Sequence, residues 1–207
     1  MTTFNWIAAA IVILSLIYIG FVQTVIGWIN LLRKGQAVTL LPEREGSRWP
    51  LWAQVVMAIF LFLIFVLLLY LGWIPIFSLA HTIAHVLGVI GLCLYLVGFI
   101  LVLWARHTLD KYWGLSRDGQ VKLLDDHQLI QNGPYAFVRH PMYFGWWVAM
   151  LGLMLLYPVW IVLLMFLSLV ISFFNRARKE EATLAERFGD TWIEYKRRTK
   201  FLIPFIY

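Results

Sequence analysis

Charged residues are scarce in this 207-residue chain. Only 14% of its residues are Asp, Glu, Lys or Arg, whereas 62% are hydrophobic, a balance that excludes an ordinary soluble domain. Three stretches, 1–32, 49–105 and 140–175, contain no Asp, Glu, Lys or Arg at all. Each of them exceeds the roughly 20 residues with which a helix crosses a bilayer. The composition therefore predicts an all-α integral membrane protein with several transmembrane helices.

Signals of several other functions are also missing. The single cysteine, Cys93, has no intrachain disulfide partner, and we expect it to pack as a small apolar residue. The chain has no Gly-rich phosphate loop, internal repeat or basic run interleaved with aromatics outside the apolar stretches, so nucleic acid is not an expected partner. His81 and His85 share a helical face, but carboxylates and cysteines are absent on that side of the predicted membrane. No metal site is therefore expected.

The three apolar stretches predict about five spans. The first gives one span near 4–32, which lacks the features of a cleaved signal peptide and is expected to remain as an anchor. The segment GWIPIFSLAH interrupts the second stretch and leaves spans near 51–71 and 82–105. The third stretch, Met142 to Phe174, would extend about 50 Å as one helix, against a hydrocarbon core of about 30 Å. Pro158 therefore predicts either a kinked helix or a hairpin of two short helices.

The distribution of basic residues favours the hairpin. All 17 Lys and Arg fall in segments 33–48, 106–139 and 176–200, which carry four, five and eight of them. Five spans place these segments on one side, as the positive-inside rule requires, with the N-terminus outside and the later polar segments cytoplasmic. Such segments also attract anionic membrane lipids. The predicted organisation is a pair of N-terminal spans at 1–81 and a core at 82–207, comprising the third span, a loop at 106–141, the hairpin at 142–174, and a C-terminal helix and tail at 175–207.

The motif VRHPMY stands where the hairpin begins. Arg139 suits headgroup anchoring, Pro141 suits the first turn of a helix, and Tyr143 suits the aromatic belt at a membrane surface. Alternatively, His140 and the first amides of the helix bind the carboxylate of a ligand.

The motif RARKEE stands where the hairpin ends. Arg176 and Glu180 are four residues apart and share a helical face. They form either a surface ion pair of small energetic value or a site in which the guanidinium holds an anion and the carboxylate a cation. The apolar ending FLIPFIY is expected to fold back onto the membrane interface.

Together, the two motifs carry a family resemblance. HQLIQNGPYAFVRHPMYFGW, followed after a hydrophobic hairpin by RARKEEATLAERFGDTWIEYKRRTKFLIP, resembles the isoprenylcysteine carboxyl methyltransferase family and its phospholipid methyltransferase relatives. The resemblance covers roughly residues 82–207, whereas the first two spans match only as generic membrane helices. It implies an integral membrane enzyme that uses S-adenosylmethionine, releases S-adenosylhomocysteine, and methylates a lipophilic acceptor such as an isoprenylcysteine carboxylate.

The resemblance also implies site residues. Arg176 is expected near the substrate carboxylate and Glu180 near the cofactor, as the catalytic pair. The other cofactor-binding positions lie in the cytoplasmic loop and at the start of the hairpin: Gln120, His127, Gln128, Leu129, Ile130, Tyr135, His140, Pro141, Met142 and Tyr143.

The sequence leaves the acceptor and two other classes of protein open. A phospholipid amine, an isoprenoid acid or a small thiol are alternative acceptors, and an amine or thiol would require Glu180 or Glu181 as a base. The His-Pro-x-Tyr element and the C-terminal ending also resemble NADPH-dependent membrane sterol reductases, in which more spans are expected. A non-catalytic membrane scaffold with the same fold is the other alternative. The oligomeric state is not encoded in any motif.

Overall fold

The computed structural model describes residues 3–19, 74–109 and 129–204, together with positions 56, 60, 63, 67 and 72. The chain forms two compact units, Met1–Pro50 and Leu51–Tyr207. Four α-helices have described bounds, and they are accompanied by one short 3₁₀ helix at Gly133–Ala136. The α-helices are α1, Thr3–Ile17; α2, His81–Leu109; α3, Pro141–Leu156; and α4, Trp160–Arg198. Over these ranges the all-α prediction is confirmed.

Helices α2 and α4 are long and apolar enough to cross a membrane, with 29 and 39 residues. Their outer faces carry large hydrophobic side chains: Val97 and Ile100 on α2 and Ile171 on α4 are 60%, 62% and 62% exposed. Such surfaces are unfavourable in water and favourable against lipid. Cys93, expected to pack as a small apolar residue, lies on this helix and is also exposed.

The five-span count stays a prediction. Helix α1 covers the first part of the predicted span near 4–32, and α2 contains the predicted span at 82–105. The rest of the first span and most of the span near 51–71 lie outside the described residues.

Helices α2 and α3 run antiparallel and meet along glycines. Gly91 faces Gly152, and Gly98 faces Gly145, so that a Cβ atom on Gly98 would lie 2.5 Å from the carbonyl oxygen of Gly145. On each helix the two glycines are seven residues apart, a spacing that keeps them on one face. Small residues of this kind let helix backbones approach closely where lipid surrounds them. The glycine seam formed by these four residues fixes α3, and with it the start of the hairpin, against α2.

The break predicted at Pro158 is present. Helix α3 ends at Leu156 and α4 begins at Trp160, because a proline amide cannot continue the helical hydrogen-bond ladder. The turn between them pairs with the segment before α2: the amide of Ile76 donates to the carbonyl of Pro158 at 2.9 Å, and the amide of Trp160 donates to the carbonyl of Ile74 at 3.2 Å. The turn at Pro158 and the segment before α2 are therefore neighbours.

The polar part of α4 extends well past the apolar hairpin and bends near its end. Gly189 adopts a left-handed conformation with φ of 49°, which glycine tolerates without strain. Beyond the helix, Phe201 and Leu202 are 8% and 1% exposed and pack against Ala177 of α4. The tail was expected on the membrane interface, but its first residues are covered by the protein instead, because α4 offers them an apolar surface.

Candidate active site

The loop before α3 is fixed at both of its ends. Gly133 has φ of 56°, a left-handed conformation that favours glycine. A Cβ atom there would lie 2.9 Å from Oγ1 of Thr108, near the end of α2, so the loop passes close to that helix. At the other end, Pro141 is the first residue of α3 and His140 precedes it as the capping position. Proline suits this place because the first helical amides have no intrahelical partner.

His140 lies buried between two glutamates of α4. Its Nδ1 is 3.6 Å from Oε2 of Glu180, and its Nε2 is 3.7 Å from Oε1 of Glu181. Both separations exceed a hydrogen bond, so these are electrostatic contacts, and Nε2 has no hydrogen-bond partner among the described residues. The ring stacks on Tyr143 at 5.6 Å and meets the edge of Phe201 at 5.3 Å. A buried polar atom without a partner is rare in folded proteins and is open to a ligand.

Glu180 is the centre of the second set of contacts. It accepts a hydrogen bond from the hydroxyl of Tyr143 at 2.6 Å and another from Nε of Arg176 at 3.0 Å, both at Oε1. The predicted pair of Arg176 and Glu180 is therefore present, and the Arg176 side chain is 44% exposed. The cluster thus offers a carboxylate on its inner side and a half-exposed guanidinium toward its edge.

Arg139 pairs with Glu181 rather than with a membrane surface. The residue is 9% exposed, donates from Nε to Oε1 of Glu181, and donates from Nη1 to the carbonyl of Thr199 at 2.7 Å. The interpretation of Arg139 as a headgroup anchor is therefore wrong, because α4 and the tail enclose its guanidinium.

The carboxyl group of Glu181 lies beyond the apolar part of α4 and has a shifted pKa. Burial by itself raises this pKa, but the hydrogen bond from Arg139 and the nearby Arg139 and His140 side chains together outweigh burial and lower it below the ordinary value of 4.5. Glu181 is accordingly ionised at neutral pH.

Tyr135 joins the cluster from the 3₁₀ helix. Its carbonyl accepts a hydrogen bond from the hydroxyl of Tyr195 at 2.8 Å. The pKa of Tyr135 is raised well above 10.0, first by burial and then by Tyr195, Glu180 and Tyr143. The phenol therefore remains neutral and able to donate a hydrogen bond.

The remaining predicted site residues are less closely tied to the cluster. Leu129 and Ile130 are half-buried in the irregular segment before the 3₁₀ helix, and Met142 is half-buried in the first turn of α3. Three predicted positions lie outside the described residues: Gln120, His127 and Gln128. Over the described ranges, no group of three or more His, Cys, Asp or Glu side chains is placed to hold a metal ion.

Sequence patterns did not reveal how Arg139 and the tail complete the cluster. The available signal was that each motif carries two adjacent polar residues that can pair with those of the other: Arg139 and His140 in one, and Glu180 and Glu181 in the other. The part played by Phe201 had no such signal, since an apolar ending after a basic run is equally typical of a membrane-surface segment.

The fold and this cluster define a class of protein. The protein has long apolar helices with exposed hydrophobic faces. It also has a partly buried cluster of basic and acidic side chains, which come from the beginning and the end of a helical hairpin. Residues 89–186 match the family model described as the isoprenylcysteine carboxyl methyltransferase (ICMT) family. This segment contains α3, the start of the hairpin and the acidic residues of the cluster, so the resemblance seen in the motifs is confirmed over it.

Curated relatives carry the corresponding name. The protein-S-isoprenylcysteine O-methyltransferase of Saccharomyces cerevisiae is 36% identical over 132 residues, which are 63% of this chain and 53% of the yeast protein. The human protein of the same name is 39% identical over 85 residues, which are 40% of this chain and 29% of the human protein. This chain therefore spans about half of the yeast relative and less than a third of the human one.

A solved structure is similar as well. The structure of the eukaryotic intramembrane Ras methyltransferase ICMT matches with a TM-score of 0.52 and 30% sequence identity, over 59% of this chain and 43% of that one. The shared part extends beyond sequence motifs to the helical arrangement, and it agrees with a membrane location for α2 and α4.

Proposed function

We propose that this protein is an S-adenosylmethionine-dependent methyltransferase that esterifies the carboxylate of a lipophilic, isoprenylcysteine-like acceptor at the membrane surface. The observation that carries this proposal is the hydrogen bond between Arg176 and Glu180 at the edge of the buried cluster around His140. A cation for the acceptor and an anion for the donor are held side by side where the apolar part of α4 ends. The names of the relatives support the same activity.

The residues present fit a cofactor that carries both positive and negative groups. Nε2 of His140 has no hydrogen-bond partner among the described residues, and the exposed amides at the start of α3 favour a carboxylate. Glu180, which is half-buried, supplies a negative charge for an ammonium or sulfonium group. Tyr135, Pro141, Met142 and Tyr143 would line the same pocket, along with Leu129 and Ile130 and the predicted positions Gln120, His127 and Gln128.

Arg176 suits the acceptor rather than the cofactor. Its guanidinium is half-exposed at the edge of the cluster, where a lipophilic molecule lying along α4 would present its polar end. A guanidinium binds a carboxylate through two parallel hydrogen bonds. Arg176 would thereby orient the acceptor oxygen toward the donor.

The methyl transfer requires mainly that the protein align the methyl donor with the acceptor carboxylate. S-adenosylmethionine supplies a methyl group attached to a positively charged sulfur. The acceptor carboxylate is already ionised at neutral pH, so an oxygen–carbon bond forms as the sulfur–carbon bond breaks, and no proton is transferred. Arg176 and Glu180 hold the two partners in line, and the surrounding aromatic rings keep water away.

The proposed orientation follows the positive-inside rule. The cluster and the basic C-terminal part of α4 would face the cytoplasm, and the turn at Pro158 would face the other side. The contact between this turn and the segment at Ile74–Ile76 supports the arrangement. Anionic lipids would attract the basic segments on the cytoplasmic side.

The product of the reaction tests the proposal. Detergent-purified protein is incubated with methyl-labelled S-adenosylmethionine and an S-prenylated N-acetylcysteine, and mild base is then added. A methyl ester releases labelled methanol under these conditions, whereas N-methyl and S-methyl products retain their label. We expect base-labile label that depends on the free carboxylate of the acceptor.

The matched control acceptor is the same molecule with its carboxylate converted to an amide. Label that survives base, or equal labelling of the amide, would contradict carboxyl methylation. Label transferred to a phospholipid in place of the prenylated acid would contradict the proposed acceptor.

A further inference from the structure

We propose that Arg139 and Glu181 act as positioning residues, forming a pair that holds the C-terminal segment Thr199–Leu202 against His140. This inference rests on the proposed function, because it assigns a task in that same site. Glu181 accordingly serves in positioning and does not act as a base.

The pair is buried and joined to three parts of the chain. The side chains of Arg139 and Glu181 are 6% and 14% exposed. Arg139 belongs to the loop before α3 and Glu181 to α4. The Nη1 atom of Arg139 donates to the carbonyl of Thr199 in the tail at 2.7 Å, and to the carbonyl of Lys196 in the last turn of α4 at 3.4 Å. A single guanidinium thus connects the loop, the helix and the tail. Its rigid planar set of donors suits such a junction better than an ammonium would.

Backbone hydrogen bonds reinforce the same junction. The amide of Arg139 donates to the carbonyl of Lys200 at 2.9 Å, and the amide of Lys200 donates to the carbonyl of Phe137 at 3.1 Å. They form a short parallel bridge between Val138 and Lys200. A bridge this short has little cooperativity of its own, so its persistence depends on the side chains around it.

The bridge places an aromatic wall beside His140. Phe201, which follows Lys200, meets the His140 ring edge-on at 5.3 Å and the Phe174 ring of α4 edge-on at 5.7 Å. The His140 ring also stacks on Tyr143. His140 is therefore held from two sides, and one of them exists only while the tail is docked.

The two adjacent glutamates differ in what they contact. Glu180 accepts hydrogen bonds from Tyr143 and from Arg176, and the half-exposed Arg176 lies at the open edge of the cluster. Glu181 binds the enclosed Arg139, and Lys196 is a further cation at 3.7 Å. A carboxylate surrounded by these cations is a poor proton acceptor. Glu181 is therefore unsuited to act as a base.

The test uses the full-length protein in detergent with the variants Glu181→Gln and Arg139→Lys. Both keep side-chain size and polarity, and they disturb the fold less than alanine would. Glu186→Gln is the matched control, since Glu186 is an exposed glutamate on the same helix. Two quantities are measured: amide hydrogen exchange at Arg139 and Lys200, and the split between KM for S-adenosylmethionine and kcat.

We expect exchange at both amides to rise about tenfold or more in either variant, as the loss of a charge-assisted hydrogen bond implies. KM for the donor should rise by about the same factor, while kcat at saturating donor stays within about threefold of wild type. The double variant should be little worse than either single variant, because both remove one interaction. The control should match wild type in both measurements.

Two results would overturn the inference. Unchanged exchange at Arg139 and Lys200 would mean that the pair does not hold the tail. A large loss of kcat with unchanged KM would mean that Glu181 takes part in the chemical step. A wild-type protein that failed to use S-adenosylmethionine would contradict the proposed function. Amide exchange does not require a cofactor, so the exchange measurement would still decide whether the pair holds the tail.

Discussion

Replacing Gly98 by alanine should loosen the glycine seam and weaken cofactor binding at a distance. The new Cβ atom would lie 2.5 Å from the carbonyl oxygen of Gly145 and 2.8 Å from Cα of Ala149 on α3. Ordinary carbon contacts are about 3.5 to 4.0 Å, so α2 and α3 would have to separate by about 1 Å. Neither neighbouring atom belongs to a flexible side chain, so a side-chain rotation cannot relieve the strain.

The expected cost follows from two opposing effects. Overpacking of a close-packed interface costs about 1 to 3 kcal/mol, whereas exchanging glycine for alanine inside a helix gains about 0.5 to 1 kcal/mol. The midpoints of these two ranges leave a net destabilisation of about 1 kcal/mol for Gly98→Ala, which corresponds to a Tm lower by about 2 to 4 °C for a chain of this size.

Tryptophan fluorescence during heating in detergent measures this change, since the chain contains 11 tryptophans. Val97→Ala on the same helix is the control, since Val97 is 60% exposed and substitutions at exposed positions usually change stability by less than about 0.5 kcal/mol. Because α3 carries Tyr143 and begins next to His140, its displacement in Gly98→Ala should also weaken S-adenosylhomocysteine binding. A Tm equal to or above that of wild type would refute the close packing of the seam.

Two further predictions concern the charged residues. Arg176→Lys keeps the positive charge but loses the planar pair of donors, so turnover should fall about tenfold. The Kd for S-adenosylhomocysteine should stay within about threefold of wild type. Equal losses of turnover and of affinity would contradict the division of roles between Arg176 and Glu180. The pKa of Glu181 is lowered in the folded protein, so its contribution to stability is present above its ordinary value near 4.5 and is lost as the pH falls through the lower folded value. The Tm of wild type should therefore drop more steeply between about pH 5 and pH 3 than that of Glu181→Gln, and parallel curves would show that Glu181 has no such linkage.

The sequence predicts those features of the fold that depend on residues close together in the chain. The break at Pro158 follows from a missing amide hydrogen and from the length of the apolar run, and both can be seen in the sequence. The pair of Arg176 and Glu180 follows from helical periodicity. The contact of Arg139 with Glu181 spans 42 positions, and it depends on how α3, α4 and the tail pack, which no local pattern encodes.

Which apolar residues the protein itself buries also depends on the assembled fold rather than on local sequence. The tail was expected at the membrane interface because hydrophobicity alone does not distinguish lipid from protein as the apolar surroundings. Phe201 and Leu202 pack on α4 because Ala177 leaves room for them, a property of the assembled surface. The glycines of the seam are visible in the sequence at a spacing of seven residues, but their partners on the facing helix become apparent only in the fold.

S-adenosylhomocysteine binding by calorimetry, on detergent-purified wild type beside Glu180→Ala, tests the central claim most directly. Glu186→Ala serves as the control for loss of an acidic residue from the same helix. The account predicts binding in the micromolar range by wild type and by the control, and its loss in Glu180→Ala. Absence of binding by well-folded wild type with lipid present, or equal binding by Glu180→Ala, would contradict a methyl-donor site at this cluster.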